Sequence, residues 1–265
     1  MFRIILLFAF LFPSTLNALS FNGKFIQGHF IVGKTQPETE IWIDKKKVKV
    51  SKDGFFAFGI GRDRKYDIVI TSIKNGKKNR ITKKIQKREY KIQRIDGLPE
   101  KKVTPPKEVY ERIKNENKII SDARSVNSNL TYFKKKFITP LENAIITGVY
   151  GSQRILNGKA KWPHYGIDFA AKEGTEIKAM LDGKVTMVEP DLFYTGGTLI
   201  FDHGHGISTL YMHMQKIYVK KGQSVKQGEI IGTVGSTGRS TGAHLDVRLN
   251  WFGTRLDPMT VLNFK

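Results

Sequence analysis

Five side chains in the second half of the chain could share one piece of chemistry: His164 and Asp168 in HYGID, His213 in LYMHM, and His244 with Asp246 in HLDVR. Imidazole nitrogen and carboxylate oxygen are donors that zinc accepts in a roughly tetrahedral shell, and a catalytic zinc leaves one position for water. On a strand, residues two apart share a face, as His244 and Asp246 would, and so do residues four apart, as His164 and Asp168 would. Both pairs could then aim at one centre. Spacing alone is equally compatible with ordinary surface pairs, because a histidine four residues from an aspartate is common. The chain has no cysteine, so no disulfide holds it and no thiolate can ligate or attack; histidine, carboxylates, hydroxyls or a metal must carry any catalysis.

The elements that would position these residues are strands. From residue 137 onward the chain is rich in glycine and β-branched residues, with strand patterns at AIITGVY, GIDFAA, EIKAML, GKVTMVE, GTLIFDH, STLYMHM, QKIYV, EIIGTVG and HLDVRLN. Many short strands separated by glycine turns predict an antiparallel, partly open barrel or sandwich. His203 and His205 lie in DHGHG, where the neighbouring glycines suggest a turn and loop histidines rather than a second metal site. His29 lies far from this region and reads as structural.

Upstream, residues 21–96 alternate at period two through KFIQGHFIVG, EIWIDKKKVKVS, FFAFGI, YDIVITSI, ITKKIQ and REYKIQRI, broken by Asp53-Gly54 and Asn75-Gly76. This pattern predicts a small antiparallel β-sandwich built of hairpins. Pro99, Pro105 and Pro106 punctuate a linker over residues 97–136, and Pro106 can start a helix to about Ser125, with Val109, Ile113 and Ile120 on one side. The fold is therefore mainly β, with one linker helix between an accessory domain and a second domain over residues 137–265.

Residues 1–20 place Arg3 before the apolar run Ile4 to Phe12 and end in small and polar residues, the pattern of a secretory signal. That run is short of the roughly 20 apolar residues a membrane span needs, so no stable transmembrane span is expected once the signal is removed. The formal charge of +21 is lopsided: residues 21–140 carry 30 Lys and Arg against 13 Asp and Glu, and residues 141–265 carry 14 against 11. Such a field favours polyanions; for an exported protein these are anionic cell-envelope polymers rather than nucleic acid.

The second domain closely resembles the lysostaphin/LytM family of zinc metallopeptidases. The resemblance runs in order through YGSQRILNG, WPHYGIDFAA, GTEIKAMLDGKV, GGTLIFDHGHG, STLYMHM, VKKGQSVKQGEIIGTVGSTGRSTGAHLD and RLDP, covering essentially residues 137–262. It implies a LytM-type antiparallel β-fold, one zinc ion held by His164, Asp168 and Asp246, and His213 and His244 as the catalytic residues that handle the water and the transition state. It also implies peptidoglycan as substrate, cut at peptide cross-links in the periplasm or envelope of a bacterium. The sequence departs from the family at one ligand: the His-x-His element reads His244-Leu245-Asp246, with aspartate where histidine is usual. Aspartate oxygen is an acceptable zinc donor, but a second carboxylate neutralises the ion further and acidifies its water less. The alternative is a catalytically inactive LytM-type domain that binds the wall or activates another hydrolase. The VKKGQSVKQGEIIGTVG stretch also resembles a biotinyl or lipoyl carrier, but no suitably flanked lysine stands at a hairpin tip.

Overall fold

A computed structural model describes residues 19–97, 100–143 and 145–262. The signal expected over residues 1–20 lies, but for its last two positions, outside the described residues.

The N-terminal region is a two-layer sandwich. One layer is β1 (Ser20–Asn22), β2 (Phe30–Lys34) and β5 (Phe55–Gly59); the other, in spatial order, is β4 (Lys46–Val48), β3 (Glu40–Ile43), β6 (Ile68–Lys74) and β7 (Lys77–Lys83), all antiparallel. The period-two alternation sends Ile41, Ile43, Phe56, Phe58, Ile68 and Ile70 into the shared core. Asn75 and Gly76 take positive φ values of 50° and 72° and close the β6–β7 hairpin, as the dipeptide predicts. Asp53-Gly54 does something else. It carries the chain from β4 in one sheet to β5 in the other, and a Cβ on Gly54 would sit 1.9 Å from the Thr35 carbonyl oxygen. A turn dipeptide fixes a reversal, not which partner the next strand finds.

The strand read from REYKIQRI also leaves its expected place. β8 (Ile92–Ile95) pairs in parallel with β10 (Gln153–Leu156), whose other edge holds β11 (Lys159–Ala160). After a short α1 (Glu100–Val103), helix α2 (Tyr110–Arg124) lies against the second region rather than standing free. Its Ile120 and Ala123 pack on Met187, Leu192 and Ile200, and its Arg112 reaches Asp191.

The C-terminal region is one large antiparallel sheet. Its main path runs β17 (Ser224–Val225), β14 (Gly183–Leu192), β15 (Gly196–Gly204), β16 (Ile207–Ile217), β19 (His244–Trp251), β12 (Ile167–Ala170) and β9 (Ile145–Gly148). β20 (Thr254–Leu256) adds to β19, and β13 (Glu176–Lys178) pairs with β18 (Ile230–Val234). β16 bends so that its first part pairs with β19 and its last part with β18. The sheet folds over itself without closing. The two regions share one apolar core: Phe58 meets Trp251 edge-on, Phe30 meets Phe137, and a Cβ on Gly59 would lie 2.4 Å from the Leu256 side chain.

Candidate metal centre

β12 and β19 are neighbours, and their register sets Asp168 directly opposite Asp246 and Ala170 opposite His244. Directly opposed residues on an antiparallel pair point to the same side, so the two carboxylates converge. His164 does not share the strand with Asp168 as the four-residue spacing suggests, because β12 starts at Ile167. It comes from the preceding loop, held there by a hydrogen bond from its own N–H to Ser152 O and another from Gly151 N–H to its carbonyl.

The three residues each offer one ligand atom, and these atoms lie within 4.8 Å of one another. All three residues are at most 9% exposed. Nδ1 and Nε2 of His164 and Oδ1 of Asp168 are buried without a hydrogen-bond partner, and Nε2 lies 3.2 Å from that Oδ1. Leaving a buried polar atom unpaired costs about 1–3 kcal/mol, so unpaired donors converging at one point fit a cation held between them.

Each carboxylate has a second partner. Asp168 Oδ2 accepts from Arg154 Nη2 at 3.0 Å, which leaves Oδ1 turned to His164. Asp246 accepts from Arg248 Nη2 at 2.9 Å and from Nε at 3.3 Å. Burial alone would push the Asp246 carboxyl up; the Arg248 guanidinium, then His164 and His213, overcome it and hold it well below the usual carboxylate range. Two glycines leave the room: a Cβ on Gly148 would meet Asp168 Oδ2 at 2.2 Å, and one on Gly166 would meet Asp246 Oδ1 at 2.2 Å.

His213 reaches the site by an irregularity. Met212 is the residue opposite Asp246, so in a regular strand His213 would face the other side of the sheet. Against β15, however, Tyr211 pairs with Leu199 and Met214 with Gly197, which places an extra residue in β16. With φ of +62° at His213, this bulge turns the ring back beside His244, with centroids 4.6 Å apart. Such a backbone conformation costs about 1–3 kcal/mol in a non-glycine residue and persists where the surroundings enforce it.

Both rings are oriented from behind. His213 Nδ1 lies 2.8 Å from Thr237 O, and His244 Nδ1 lies 2.8 Å from Gly242 O, with Ser240 Oγ nearby at 3.1 Å. A carbonyl oxygen only accepts, so Nδ1 donates in each ring, and in the neutral imidazole Nε2 is the nitrogen with the lone pair. Burial holds His213 below the usual histidine value, against the pull of Asp246. The other histidines lie apart. His203 is on β15, not in a turn, and is buried between Asp182 O and Thr209 Oγ1; His205 packs on Phe133. Burial pushes both down to about 4.

Arg154, Arg248, Gly148 and Gly166 escaped the reading of the sequence. Arg248 had a signal: it continues the period-two row His244, Asp246 on one face of β19. Arg154 had none, because its approach to Asp168 depends on a hairpin folding across the sheet.

The Peptidase family M23 profile matches residues 162–258, which span His164, Asp168, Asp246, His213, His244 and RLDP. DD-carboxypeptidase/endopeptidase Mpg of Neisseria meningitidis serogroup B is 41% identical over 98 residues, 37% of this chain and 22% of that protein. Peptidoglycan DD-endopeptidase ShyA of Vibrio cholerae is 45% identical over 87 residues, 33% of this chain and 20% of that protein. The match thus spans about a fifth of the length of these curated relatives. A crystal structure from Pseudomonas aeruginosa, described as a peptidase M23, superposes with a TM-score of 0.69 at 26% identity over 90% of this chain and 95% of that one, sandwich included. With the register of β12 and β19 and the matched residues in hand, the C-terminal region of this chain is a peptidase family M23 domain of the lysostaphin/LytM type.

Proposed function

We propose that the chain is an exported zinc metalloendopeptidase that hydrolyses peptide cross-links of bacterial peptidoglycan. The observation that carries this reading is the convergence of His164, Asp168 and Asp246, with the His164 ring nitrogens and Asp168 Oδ1 buried and unpaired, beside two histidines whose Nδ1 atoms are engaged by carbonyl oxygens. His164, Asp168 and Asp246 would hold a zinc ion, which would supply Lewis-acid polarisation of the scissile carbonyl and a water nucleophile near neutral pH. His213 and His244 take the remaining work: a lone pair at Nε2 accepts a proton, and the same nitrogen once protonated donates to the developing oxyanion or the leaving amine. Thr237 O and Gly242 O hold the two rings to that tautomer throughout.

Asp246 is acceptable in this scheme because it comes with Arg248. The pair carries no net charge, as the neutral imidazole usual at that position carries none, so Arg248 offsets the second carboxylate that would otherwise quench the ion. The relatives named for peptidoglycan endopeptidase activity support the substrate class, and the signal-like residues 1–20 support export. Among the described residues no helix is long and apolar enough to cross a membrane.

One observation favours a second reading, a metal-free domain that binds wall or activates another hydrolase: each aspartate already has a guanidinium partner. Metal analysis separates the two, since the enzyme holds about one zinc per chain. The deciding experiment incubates the chain with purified peptidoglycan, with and without a chelator, and identifies new amino termini. Cleavage that survives the chelator, or a chain that takes up no zinc, overturns the proposal.

A further inference from the structure

The RLDP segment matches the family yet lies away from the metal centre, and its parts have separate tasks. Leu256 fills the space over Gly59, and Asp257 caps the turn after it and pairs with Arg88 of the accessory region. Arg255 remains. It opens into a cleft of about 670 Å³ between the two regions, walled by Lys45, Lys46 and Arg64 on one side and by Tyr165 and Trp251 on the other. Pockets that bind ligands favour such junctions.

The charges in this cleft do not balance. Arg64 is bound to Asp44 and Arg62 to Asp63. Among the described residues no carboxylate pairs with Lys45, Lys46 or Arg255. Lys46 Nζ rests over the Phe252 ring at 3.2 Å from its centroid, and Arg255 is half-buried, its guanidinium donating one long hydrogen bond, 3.4 Å, to Asn250 Oδ1. Burial pushes the Arg255 guanidinium down to about 10, the mark of a cation without a counter-charge. A desolvated guanidinium gains most from an ionised acceptor that meets its fork.

The cleft is also in line with the metal centre. Asp246, Arg248 and Asn250 follow one another on one face of β19, and Arg255 lies directly opposite Asn250. Four residues of strand span about 13 Å, the reach of a peptide of about four extended residues. Tyr165, on the cleft wall, adjoins His164 in the chain.

We propose that Arg255, Lys46 and Lys45 form an anion-binding subsite at the junction of the two regions, which takes a carboxylate of the wall peptide while a bond about four residues away lies at the metal centre. This rests on the proposed function for the identity of the polymer. The site itself does not require metal, so it is tested on the full chain stripped of metal with a chelator, which also prevents cleavage. A labelled soluble disaccharide-tetrapeptide is titrated by fluorescence anisotropy against the wild type, R255Q and K46Q, in parallel with the same fragment carrying amidated carboxylates. Each variant should bind the acidic fragment about tenfold more weakly, with an unchanged melting profile for the exposed K46Q, and amidation should remove the difference between wild type and variants. Equal affinity of wild type and both variants overturns the proposal. So does displacement by inorganic pyrophosphate combined with indifference to amidation, which assigns the cleft to phosphate-bearing polymers. Zinc content and cleavage, measured on the same preparations after remetallation, report separately on the proposed function: normal values with unchanged fragment binding sink the subsite alone.

Discussion

The sandwich and the M23 region bury different kinds of residue. Among the described residues the sandwich encloses Gln27, Thr35, Thr39, Ser51 and Thr71 as its buried polar side chains, none of them charged. The M23 region encloses His164, Asp168, Asp182, Asp202, His203, His205, His213, Asp246 and Asp257. Burying an ionisable group is unfavourable unless it is paired or ligated, so a core formed by apolar alternation alone would resemble the sandwich. The contrast separates a region whose core is set by apolar alternation from one whose core also holds ionisable groups, four of them at the candidate site.

Removing a proposed ligand breaks the contrast most directly. Asp168→Ala should abolish zinc uptake and cleavage, read by metal analysis and release of new amino termini, while the sandwich keeps its fold. Next come the two histidines: His213→Ala and His244→Ala should each lower cleavage by about 10²–10⁴-fold with zinc retained. Zinc loss in either variant would move that histidine into the ligand set.

A matched pair of glycine substitutions sharpens the comparison. Gly166→Ala places a Cβ against the Asp246 carboxylate and should weaken zinc binding by about a hundredfold in competition with a chromogenic chelator. Gly33→Ala places a Cβ 2.0 Å from the Phe56 ring and should cost about 1–3 kcal/mol of stability with zinc affinity unchanged. Equal effects of both on zinc would erase the distinction between the regions.

Acid should find the same boundary. His203 is buried and held down to about 4 from 6.5, so the folded state prefers it neutral; stability is full above pH 6.5 and declines as pH falls towards 4. The shift corresponds to about 3 kcal/mol, and His203→Gln should flatten the dependence of melting temperature on pH across that window. The smallest effect belongs to the exposed edge strand β7. Lys77→Ser and Lys78→Ser should change stability by no more than about 0.5 kcal/mol, and should weaken salt-sensitive binding to anionic wall polymer.

Local pattern carried much of this architecture because alternation decides which side chains enter a core whatever the strand's partner. Phe56, Phe58, Ile68 and Ile70 were legible for that reason, as was the Asn75-Gly76 reversal. Partner choice was not legible. β4 and β5 separate into different layers at Gly54, and β8 crosses to β10, because long-range packing selects pairings that period-two sequences leave open. At the candidate metal centre, the pair His244 and Asp246 lay open to inspection, and Arg248 continues their row. His213 was named from the LYMHM segment and the family resemblance and not from alternation, since strict alternation points it away and only the extra residue in β16 reverses it. Arg154 became visible only once its hairpin was seen folded over Asp168.

The crossing of β8 to β10 bears on how the molecule can be dissected. A fragment cut to begin at residue 137 would carry off Arg154 and its hairpin but leave behind the neighbour that covers β10, baring a row of N–H and C=O groups next to Asp168. Such a fragment should be sticky, recruiting a second molecule along that seam. A faithful minimal piece therefore begins before Ile92, inside what the alternation pattern assigns to the other domain.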